Sequence, residues 1–323
     1  MVDIEKIDKI NISYEMRKTE IKNDLNRNDS LSEENTGVLY ENNFNKDTLC
    51  SIQEAKVKVA VNNQQLQNFL SGLGFYKGAI NGDFSSDASK KAISNFQKVY
   101  GLNVDGKMTD KTRKKLQEVH NMYSRVSTGK ELTALASNSN LGLDYIEKQN
   151  LAKIWTFLRV GMGFTKNQAA GICGNFYNES KFSSDNAQEQ KGGKYKNDHD
   201  SGYTFSADDK VGYGIEQWTV PDVKKILKNT AKEMGVNVSD INAQLATVRK
   251  EIEKTRINDW KAVISKTTYN EVSDAFLDNV EKPKQKNYAQ RRAYSKKIYD
   301  ANYYNGLFII CGLQSSCRSR TEK

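Results

Sequence analysis

The chain has 323 residues, of which 37% are hydrophobic, and it carries a formal net charge of +9. This length allows two ordinary domains with hydrophobic cores and some additional chain. The longest purely apolar stretch, Leu307 to Cys311, is far shorter than the roughly 20 residues that a membrane-spanning helix needs. The composition therefore argues against a protein built on transmembrane helices, and we expect no stable membrane span.

The charge is unevenly distributed along the chain. Residues 1–56 carry 8 Lys and Arg against 12 Asp and Glu, so residues 57–323 hold a net charge of +13. The first segment is polar and has little periodicity, which predicts a flexible polar arm. The basic remainder can attract nucleic acid, anionic membranes or anionic wall polymers. Because no helix-turn-helix, zinc-finger or RNA-binding motif accompanies the charge, we expect no nucleic-acid partner.

Cysteine and histidine give no sign of a metal site. The chain has two histidines, and none of its four cysteines forms a CxxC pair, so the ligand spacing of a zinc site is missing. We predict neither a metal nor another cofactor. Cys173 lies in a helical apolar pattern, which favours a small core residue over a nucleophile. Cys311 and Cys317 could pair if the protein is oxidised outside the cell.

An internal repeat marks the first well-patterned region, residues 57–122. "INGDFSSDASKKAI" (80–93) and "VDGKMTDKTRKKL" (104–116) both place Asn or Asp before a glycine and a hydroxyl side chain before a helix. The preceding "QQLQNFLSGLGFY" has apolar residues at helical spacing and ends in glycines. The region is therefore predicted to form a bundle of three short helices.

Each copy of the repeat reads as a turn that leads into a helix. Gly82 and Gly106 suit a positive φ, while Thr109 and either Ser85 or Ser86 suit a helix N-cap. In order and spacing, the region resembles the peptidoglycan-binding domain that accompanies many bacterial and phage wall hydrolases. The Gly-Pro of that family is replaced here by Ser85-Ser86, which leaves the loop shape and ligand preference open.

A small, polar segment separates this region from a second core. Residues 123–148 are predicted to be a linker. "LAKIWTFL" follows with a helical apolar stripe, and "TKNQ" (165–168) has the form of a capping box. The next helix should therefore begin at Thr165 and run about fifteen residues, to Glu179 and Ser180. Gly171 and Gly174 inside it weaken the helix and suggest that another element packs closely there.

Glu179, in "GNFYNESKF", is predicted to face inward. It follows Ile172 by seven residues and Phe176 by three, so it lies on or beside the buried face of the helix. A buried carboxylic acid holds its proton more tightly and can donate it as a general acid. The alternative is a satisfied structural carboxylate, and the helix pattern alone does not decide between the two.

Two polar stretches follow this helix. Residues 183–211 lose helical periodicity and contain Tyr195, Tyr203 and Phe205, which predicts a hairpin-like region with rings suited to sugar faces. "GYGIEQWT" (212–219) comes next. Its glycines would let a ligand approach the backbone, and its polar and aromatic side chains could contact sugars. A turn with core aromatics is the simpler alternative.

The ordered motifs of residues 150–300 resemble the phage tail lysozyme family, a branch of the lysozyme-like fold. GN-x-x-x-ES followed by GYG-I-x-QW carries most of this resemblance. It implies that Glu179 is the catalytic acid and that Tyr213, Gln217 and Trp218 line the glycan subsites. Glu216 stands where the family usually has a small apolar residue.

A second catalytic carboxylate is not identified by spacing. The candidates share a position in or just after the polar region that follows Glu179; they are Asp198, Asp200, Asp208, Asp209 and Glu216. The remaining helices are predicted to be framework. Arg291 and Arg292 are expected on the helix surface or in an ion pair with a framework acid.

The fold is predicted to be mostly α, with a three-helix peptidoglycan-binding domain (57–122) and a lysozyme-like α+β domain (149–302) that contains a small hairpin region. Residues 1–56 and 303–323 would be an arm and a tail. The implied function is cleavage of the peptidoglycan glycan strand between N-acetylmuramic acid and N-acetylglucosamine. A lytic transglycosylase and a non-catalytic wall-binding particle component are the alternatives.

The wall-binding domain would act by avidity, and the basic surface by attraction to anionic wall polymers. Near Met1 no basic start followed by an apolar segment is found. We therefore expect synthesis in the cytoplasm without a signal peptide. Delivery to the wall would then depend on a holin or a phage particle.

Overall fold

The computed structural model describes residues 61–127, 141–188, 195–196 and 203–301. All described residues lie in one compact unit of the chain. Several predictions therefore fall outside the described residues: the arm 1–56, the tail 303–323, the Cys311–Cys317 pair, and the candidate acids Asp198 and Asp200.

The described residues are mostly helical, as predicted. The α-helices are α1 (Asn63–Gly72), α2 (Asp87–Val99), α3 (Asp110–Ser127), α4 (Tyr145–Thr156), α5 (Lys166–Ser180), α6 (Pro221–Met234), α7 (Ile241–Lys250), α8 (Ile257–Ile264), α9 (Tyr269–Phe276) and α10 (Tyr288–Ala301). Single π-helical turns extend three of them: Phe157–Gly161 after α4, Glu251–Thr255 after α7 and Leu277–Glu281 after α9. Within the described ranges, no helix combines the length and apolar character needed to span a bilayer.

Helices α1 to α3 form the predicted three-helix bundle, and both turns of the repeat have the expected geometry. Gly82 and Gly106 adopt φ of 82° and 69°. The side chain of Ser86 accepts a hydrogen bond from the backbone of Ser89 at 3.2 Å and caps α2. Thr109 plays the same part before α3, where it accepts from the backbone N–H of Thr112 at 3.3 Å.

Two buried glutamines hold these turns in place. The Oε1 atom of Gln67 accepts hydrogen bonds from the backbone N–H groups of Asn81 and Gly82, at 2.9 and 2.7 Å. In the second copy, Gln97 Oε1 accepts from Asp105 and Gly106 at 3.1 and 2.9 Å. Each turn is therefore satisfied by an amide from the preceding helix, a duplication that the sequence repeat did not reveal.

Helices occupy both ends of the predicted linker, 123–148. Helix α3 continues to Ser127, and α4 begins at Tyr145 behind an Asp144 N-cap that forms a capping box with Glu147. The buried side chains of α1 to α3 and those of the later helices belong to one continuous hydrophobic cluster. The two sequence regions are therefore in direct contact.

Side chains from one region cap helix ends in the other. The Arg249 side chain on α7 donates from Nε to the carbonyl oxygen of Val99, the last residue of α2, at 2.7 Å. Its Nη2 donates to the carbonyl of Gly161 at 2.7 Å, and its guanidinium lies over the ring of Phe157. A cation that donates to carboxyl-terminal carbonyls offsets both their lost hydrogen bonds and the helix dipole.

The capping is reciprocal. Asn95 Nδ2 on α2 donates to the carbonyl of Met234, the last residue of α6, at 2.9 Å. Lys98, also on α2, pairs with Glu233 at 2.6 Å. Because these contacts run in both directions, they fix the orientation of α2 on α6 and α7.

Helix α5 is tightly enclosed by α9 and α10. A Cβ atom added to Gly171 would lie 2.6 Å from Val272, and one added to Gly174 would lie 2.6 Å from the backbone nitrogen of Ser295. These distances leave no room for a side chain. The expectation that the two glycines allow close packing is therefore confirmed.

A short antiparallel hairpin follows α5, as predicted. Strands β1 (Ala187–Gln188) and β2 (Tyr195–Lys196) pair with Ala187 opposite Lys196 and Gln188 opposite Tyr195. Ala187 also forms a bridge with Tyr213, so the segment that contains Tyr213 runs alongside β1.

We predict that Arg249→Met lowers the free energy of unfolding by about 2–4 kcal/mol, because two buried carbonyl groups lose a charged donor while the apolar stem is kept. Thermal unfolding followed by circular dichroism would measure this. Glu253→Gln removes only the half-exposed acid that pairs with Arg249, so its effect should stay below about 1 kcal/mol. Equal stability of the two variants would contradict the capping role.

Candidate active site

Helix α5 carries Glu179 to the interior, as its apolar pattern predicts. Thr165 caps the helix in a capping box with Gln168, where the sequence placed the start. The helix ends at Ser180, and the next two residues, Lys181 and Phe182, adopt φ of 51° and 68° and turn the chain sharply toward the hairpin. Glu179 is 8% exposed. It therefore lies at the junction between the helical body and the hairpin.

The carboxylate of Glu179 is paired with a buried arginine. Arg291 on α10, 4% exposed, donates from Nη2 to Glu179 Oε1. Its Nη1 donates to Asn175 Oδ1 and its Nε to Asn287 Oδ1, each at 2.8 Å. The guanidinium is thus held in one orientation by three acceptors.

This pairing bears on two sequence expectations. Glu179 faces inward as expected, and it forms the salt bridge that the sequence pattern left open as the alternative to a lone acid. Arg291 was expected on the surface or with a framework acid, and it instead pairs with the proposed catalytic acid. Arg292 fits the expectation, since it pairs with Asp274 on α9. The side chain of residue 291 faces α5 because of the tertiary packing of α10 on α5.

The segment Gly212–Trp218 lies against the end of α5. Ser180 Oγ donates to the carbonyl of Ile215 at 3.1 Å, which ties the segment to the residue after Glu179. Gly214 N donates to the carbonyl of Asn186 at 2.9 Å, so the segment also follows the hairpin edge. The structure therefore brings the two sequence motifs, around Glu179 and around Tyr213, side by side.

The glycines of this segment are approached by protein side chains. A Cβ atom on Gly214 would lie 2.7 Å from Gln244 Oε1, which accepts a hydrogen bond from the Ile215 backbone at 3.0 Å. One on Gly212 would lie 3.0 Å from Gln217 Oε1. From the sequence, we expected a ligand to approach the backbone at these two glycines. In the structure, the side-chain amides of Gln244 and Gln217 lie there instead.

The three predicted glycan-contacting residues are all buried, at 6%, 7% and 4% exposure for Tyr213, Gln217 and Trp218. Gln217 adopts φ of 49° and donates to the carbonyls of Asn186 and Gly214, at 3.1 and 2.9 Å. Trp218 Nε1 donates to Glu216 Oε2 at 3.1 Å. These side chains belong to the segment that contacts the end of α5 through Ser180, and their contact with glycan stays a prediction.

The aromatic residues expected above the site pack on Tyr213. The rings of Tyr203 and Phe205 lie 5.8 and 5.0 Å from its ring. Buried Lys224 joins them, since it pairs with Asp209 and donates to the hydroxyl of Tyr203 at 3.1 Å. Burial alone would raise the pKa of Asp209, but hydrogen bonds from Lys224 and Tyr203 lower it overall. Asp209 is thus an anchor for this loop.

Glu216 belongs to a buried acidic cluster that extends toward Glu179. It is 3% exposed, and Glu251 is fully buried. Arg256 Nη1 lies 3.4 Å from Glu251 Oε2. Glu281 is half-buried with a shielded Oε1 atom, and its negative charge acts on Glu216; we define the acidic cluster as Glu216, Glu251, Glu281 and Arg256. The Oε1 atoms of all three acids are shielded from solvent and have no hydrogen-bond partner among the described residues.

The electrostatics of this cluster favour bound protons. Burial raises the pKa of Glu216 well above its usual range, and the negative charges of Glu251 and Glu281 add to this, while Arg256 opposes it. Burial also raises the pKa of Glu251 to about 7, although Arg256 lowers it. One guanidinium faces three carboxyl groups, so full ionisation would leave uncompensated buried charge.

Sequence reasoning missed Glu251, Glu281 and Arg256. A partial signal was present, because Glu251 follows Val248 by three residues and Glu281 follows Leu277 by four, each on an apolar stripe. The π-helical turns that contain both acids carry no such signal. Among the described residues, no group of three or more His, Cys, Asp and Glu side chains is arranged to hold a metal ion. Cys173 is fully buried in the core.

Comparison with family models assigns both regions of the chain. Residues 149–301 match the family described as "Phage tail lysozyme", and residues 62–116 match the "Putative peptidoglycan binding domain". No match was found among curated proteins or among solved structures.

The mostly helical fold and the two domain matches define a modular cell-wall lytic enzyme. Residues 149–301 match the phage tail lysozyme family, and a region matched to a peptidoglycan-binding domain precedes them. Both resemblances seen in the sequence are thereby confirmed. Peptidoglycan is the partner of this enzyme.

We predict that the buried acids make the protein less stable as the pH rises from about 4.5 to about 7. In this window the unfolded chain releases the proton of Glu251, whose usual pKa is 4.5, whereas the folded state retains it. Glu251→Gln has no such proton, so its free energy of unfolding should fall less over the window, by a difference on the order of 3 kcal/mol.

Urea unfolding at several pH values would measure this difference, with Glu253→Gln as the matched control on the same π-helical turn. The control should follow the wild-type slope. A Glu251→Gln slope identical to that of the wild type would show that this acid is not protonated in the folded state.

Proposed function

We propose that the enzyme cleaves the glycan strand of peptidoglycan between N-acetylmuramic acid and N-acetylglucosamine, with Glu179 as the general acid. The observation that carries this proposal is the position of Glu179. It lies buried at the end of α5, next to Ser180, whose side chain contacts the segment Gly212–Trp218. The phage tail lysozyme assignment of residues 149–301 supports glycan cleavage as the chemistry.

In the proposed reaction, Glu179 donates a proton to the glycosidic oxygen while the bond to the anomeric carbon breaks. The sugar develops oxocarbenium character, and the departing oxygen leaves as a hydroxyl group. Arg291 would hold the carboxyl group in a fixed direction through the three contacts described above. Fixed orientation of the acid lowers the barrier, because the proton is already aimed at the substrate.

The second role, attack on the anomeric carbon, has two candidate solutions. A carboxylate about 5 Å from the acid would act as a nucleophile, whereas one at about 6.5–9.5 Å would activate a water molecule. Asp198, Asp200, Asp208 and Glu216 are the proposed carboxylates for these roles. Asp208 is exposed and pairs with Lys225 at 3.5 Å, whereas Glu216 is deeply buried.

The burial of Glu216 favours a second candidate function, that of a lytic transglycosylase. Its Oε1 is shielded from solvent, so it is poorly placed to activate a water molecule. If no other carboxylate replaces it, the C6 hydroxyl of the muramic acid would attack its own anomeric carbon and give an anhydro-sugar. Glu179 would still protonate the leaving oxygen.

Wall binding would add to catalysis by concentrating the enzyme on an insoluble substrate. The region matched to the peptidoglycan-binding domain packs directly on the helices that follow it, through the Arg249 and Asn95 contacts. If the wall-binding region has a fixed orientation relative to Glu179, the enzyme would cleave only glycosidic bonds at a set distance from the place where that region binds the glycan. Such a substrate implies action on the cell wall, either as an extracellular or as a virion-associated enzyme.

We predict that Glu179→Gln keeps wall binding and lowers the lysis rate by about 10²-fold or more, because the amide can still accept from Arg291 but has no acidic proton. Turbidity loss of purified sacculi would measure lysis, and co-sedimentation would measure binding. Glu253→Gln removes an acid at a half-exposed position and should lyse like the wild type. Native lysis by Glu179→Gln would refute the assignment of the acid.

Mass spectrometry of the released muropeptides would identify the bond and the reaction. A hydrolase of the proposed specificity should release fragments with reducing N-acetylmuramic acid ends. A transglycosylase would instead release 1,6-anhydro ends. Sacculi that bind the enzyme but release no fragments would indicate a non-catalytic wall-binding protein.

A further inference from the structure

Lys224 is a fully buried lysine in the first helical residues of α6. Its ammonium group donates to the carboxylate of Asp209, to the hydroxyl of Tyr203 at 3.1 Å and to the carbonyl oxygen of Val211 at 2.9 Å. An ammonium group has three hydrogens to donate, so each of them has an acceptor. All three acceptors belong to residues 203–211, which we call the Lys224 loop.

The acceptors of this ammonium group are also bonded to one another. Asp209 accepts from the hydroxyl of Tyr203 at 2.8 Å and from the backbone N–H of Val211 at 3.0 Å. The Tyr203 hydroxyl in turn accepts from the backbone N–H of Ser206 at 3.2 Å. The loop therefore closes on itself around one buried cation, and the Tyr203 hydroxyl is engaged within the protein.

The helix that carries Lys224 gains little from a lysine at this position. A cation near the amino-terminal end of a helix is opposed by the helix dipole. Burial of an ammonium group is costly unless the group is paired and hydrogen-bonded. Because every bond of this ammonium group goes to the Lys224 loop, its structural effect is to fix that loop on α6.

Two aromatic rings of the loop are held in place by this network. Tyr203 and Phe205 are half-buried, and their rings pack on the buried ring of Tyr213 at 5.8 and 5.0 Å. The ammonium nitrogen of Lys224 lies 5.2 Å from the centre of the Phe205 ring, within the range of a cation–π contact. The part of each ring that stays in contact with solvent is therefore a small apolar surface of fixed position.

This apolar surface adjoins the segment that contacts the end of α5. Tyr213, on which the rings pack, forms a bridge with Ala187 of β1. Two residues further on, the carbonyl oxygen of Ile215 accepts a hydrogen bond from Ser180, the residue that follows Glu179. A polymer bound along this segment toward Glu179 would therefore pass the two rings.

We propose that Lys224 is a positioning residue for glycan binding, and that the Lys224 loop presents the rings of Tyr203 and Phe205 to one sugar of the peptidoglycan strand. This proposal rests on the proposed function, since the sugar belongs to the strand that Glu179 cleaves. Aromatic rings beside a few polar groups are a common lining of ligand sites, and the C–H face of a sugar fits such a ring. A glycan is the occupant because peptidoglycan is the partner of this enzyme.

The test is the cleavage kinetics of Lys224→Met on soluble glycan chains freed of peptide, with the full protein. Loss of the ammonium group should release the rings and raise KM about three- to tenfold, the effect of about one ring contact. The kcat should change by less than about twofold, because the rings bind the substrate and its transition state alike. Lys228→Met removes an exposed lysine one turn further along α6, and it should leave both constants at their wild-type values.

A double-mutant cycle separates positioning of the rings from a general loss of stability. Phe205→Leu should raise KM by a similar factor, and the combined variant Lys224→Met/Phe205→Leu should raise it little further, because both changes remove the same contact. Independent, multiplying effects on KM would overturn the proposal. So would an unchanged KM in Lys224→Met with only a lower melting temperature, since Lys224 would then have a purely structural role.

Should Lys224→Met not fold, Asp209→Asn decides the question, since its side chain is 31% exposed and the change keeps its shape. Its KM should rise above that of Asp222→Asn, an exposed acid on the same helix, and equal KM values would overturn the proposal.

Failure of the proposed function has a different signature. Native cleavage by Glu179→Gln, or no cleavage by the wild type, would refute the catalytic assignment. Calorimetric titration of the same glycan chains into Glu179→Gln and Glu179→Gln/Lys224→Met then tests the loop alone. Weaker binding by the second protein would support the role of Lys224, and equal affinity would refute it.

Discussion

The close approach of α5 to α9 and α10 is the constraint on which the catalytic region depends. Two glycines, Gly171 and Gly174, allow this approach, since any Cβ atom there would collide with Val272 or with the backbone at Ser295. The same packing places Arg291 opposite Glu179. A buried ion pair is costly to form, and close, well-hydrogen-bonded geometry is what offsets that cost. The close packing at Gly171 and Gly174 and the orientation of the Glu179 carboxyl group therefore both result from the way α5 packs on α9 and α10.

The two sequence regions form one packed body in the described residues. The carbonyl groups at the carboxyl ends of helices need hydrogen-bond donors, and here the donors come from the other region: Arg249 caps α2, and Asn95 caps α6. A binding module attached only by a flexible linker would raise the local concentration of the enzyme on its substrate, but its orientation relative to the second region would not be defined. Here the reciprocal caps give the first region a fixed orientation on the helices that follow it.

The acidic cluster lowers the stability of the fold near neutral pH. Glu216, Glu251 and Glu281 would each be easier to bury as apolar residues, yet all three face inward with a shielded oxygen. Their raised pKa values keep protons in the interior near neutral pH.

The sequence by itself determined the local features. Capping residues fixed the starts of α2, α3 and α5, the repeat fixed two turns with positive φ, and apolar spacing placed Glu179 on an inner face, because each depends on neighbours in the chain. Only the tertiary structure decided which groups meet that face. Arg291 lies 112 residues beyond Glu179, and the glutamines near Gly212 and Gly214 fill space that the sequence assigned to ligand. Contacts between distant elements depend on how the helices pack against each other. Apolar periodicity shows which face of a helix is buried, but it does not show which residues of other helices contact that face.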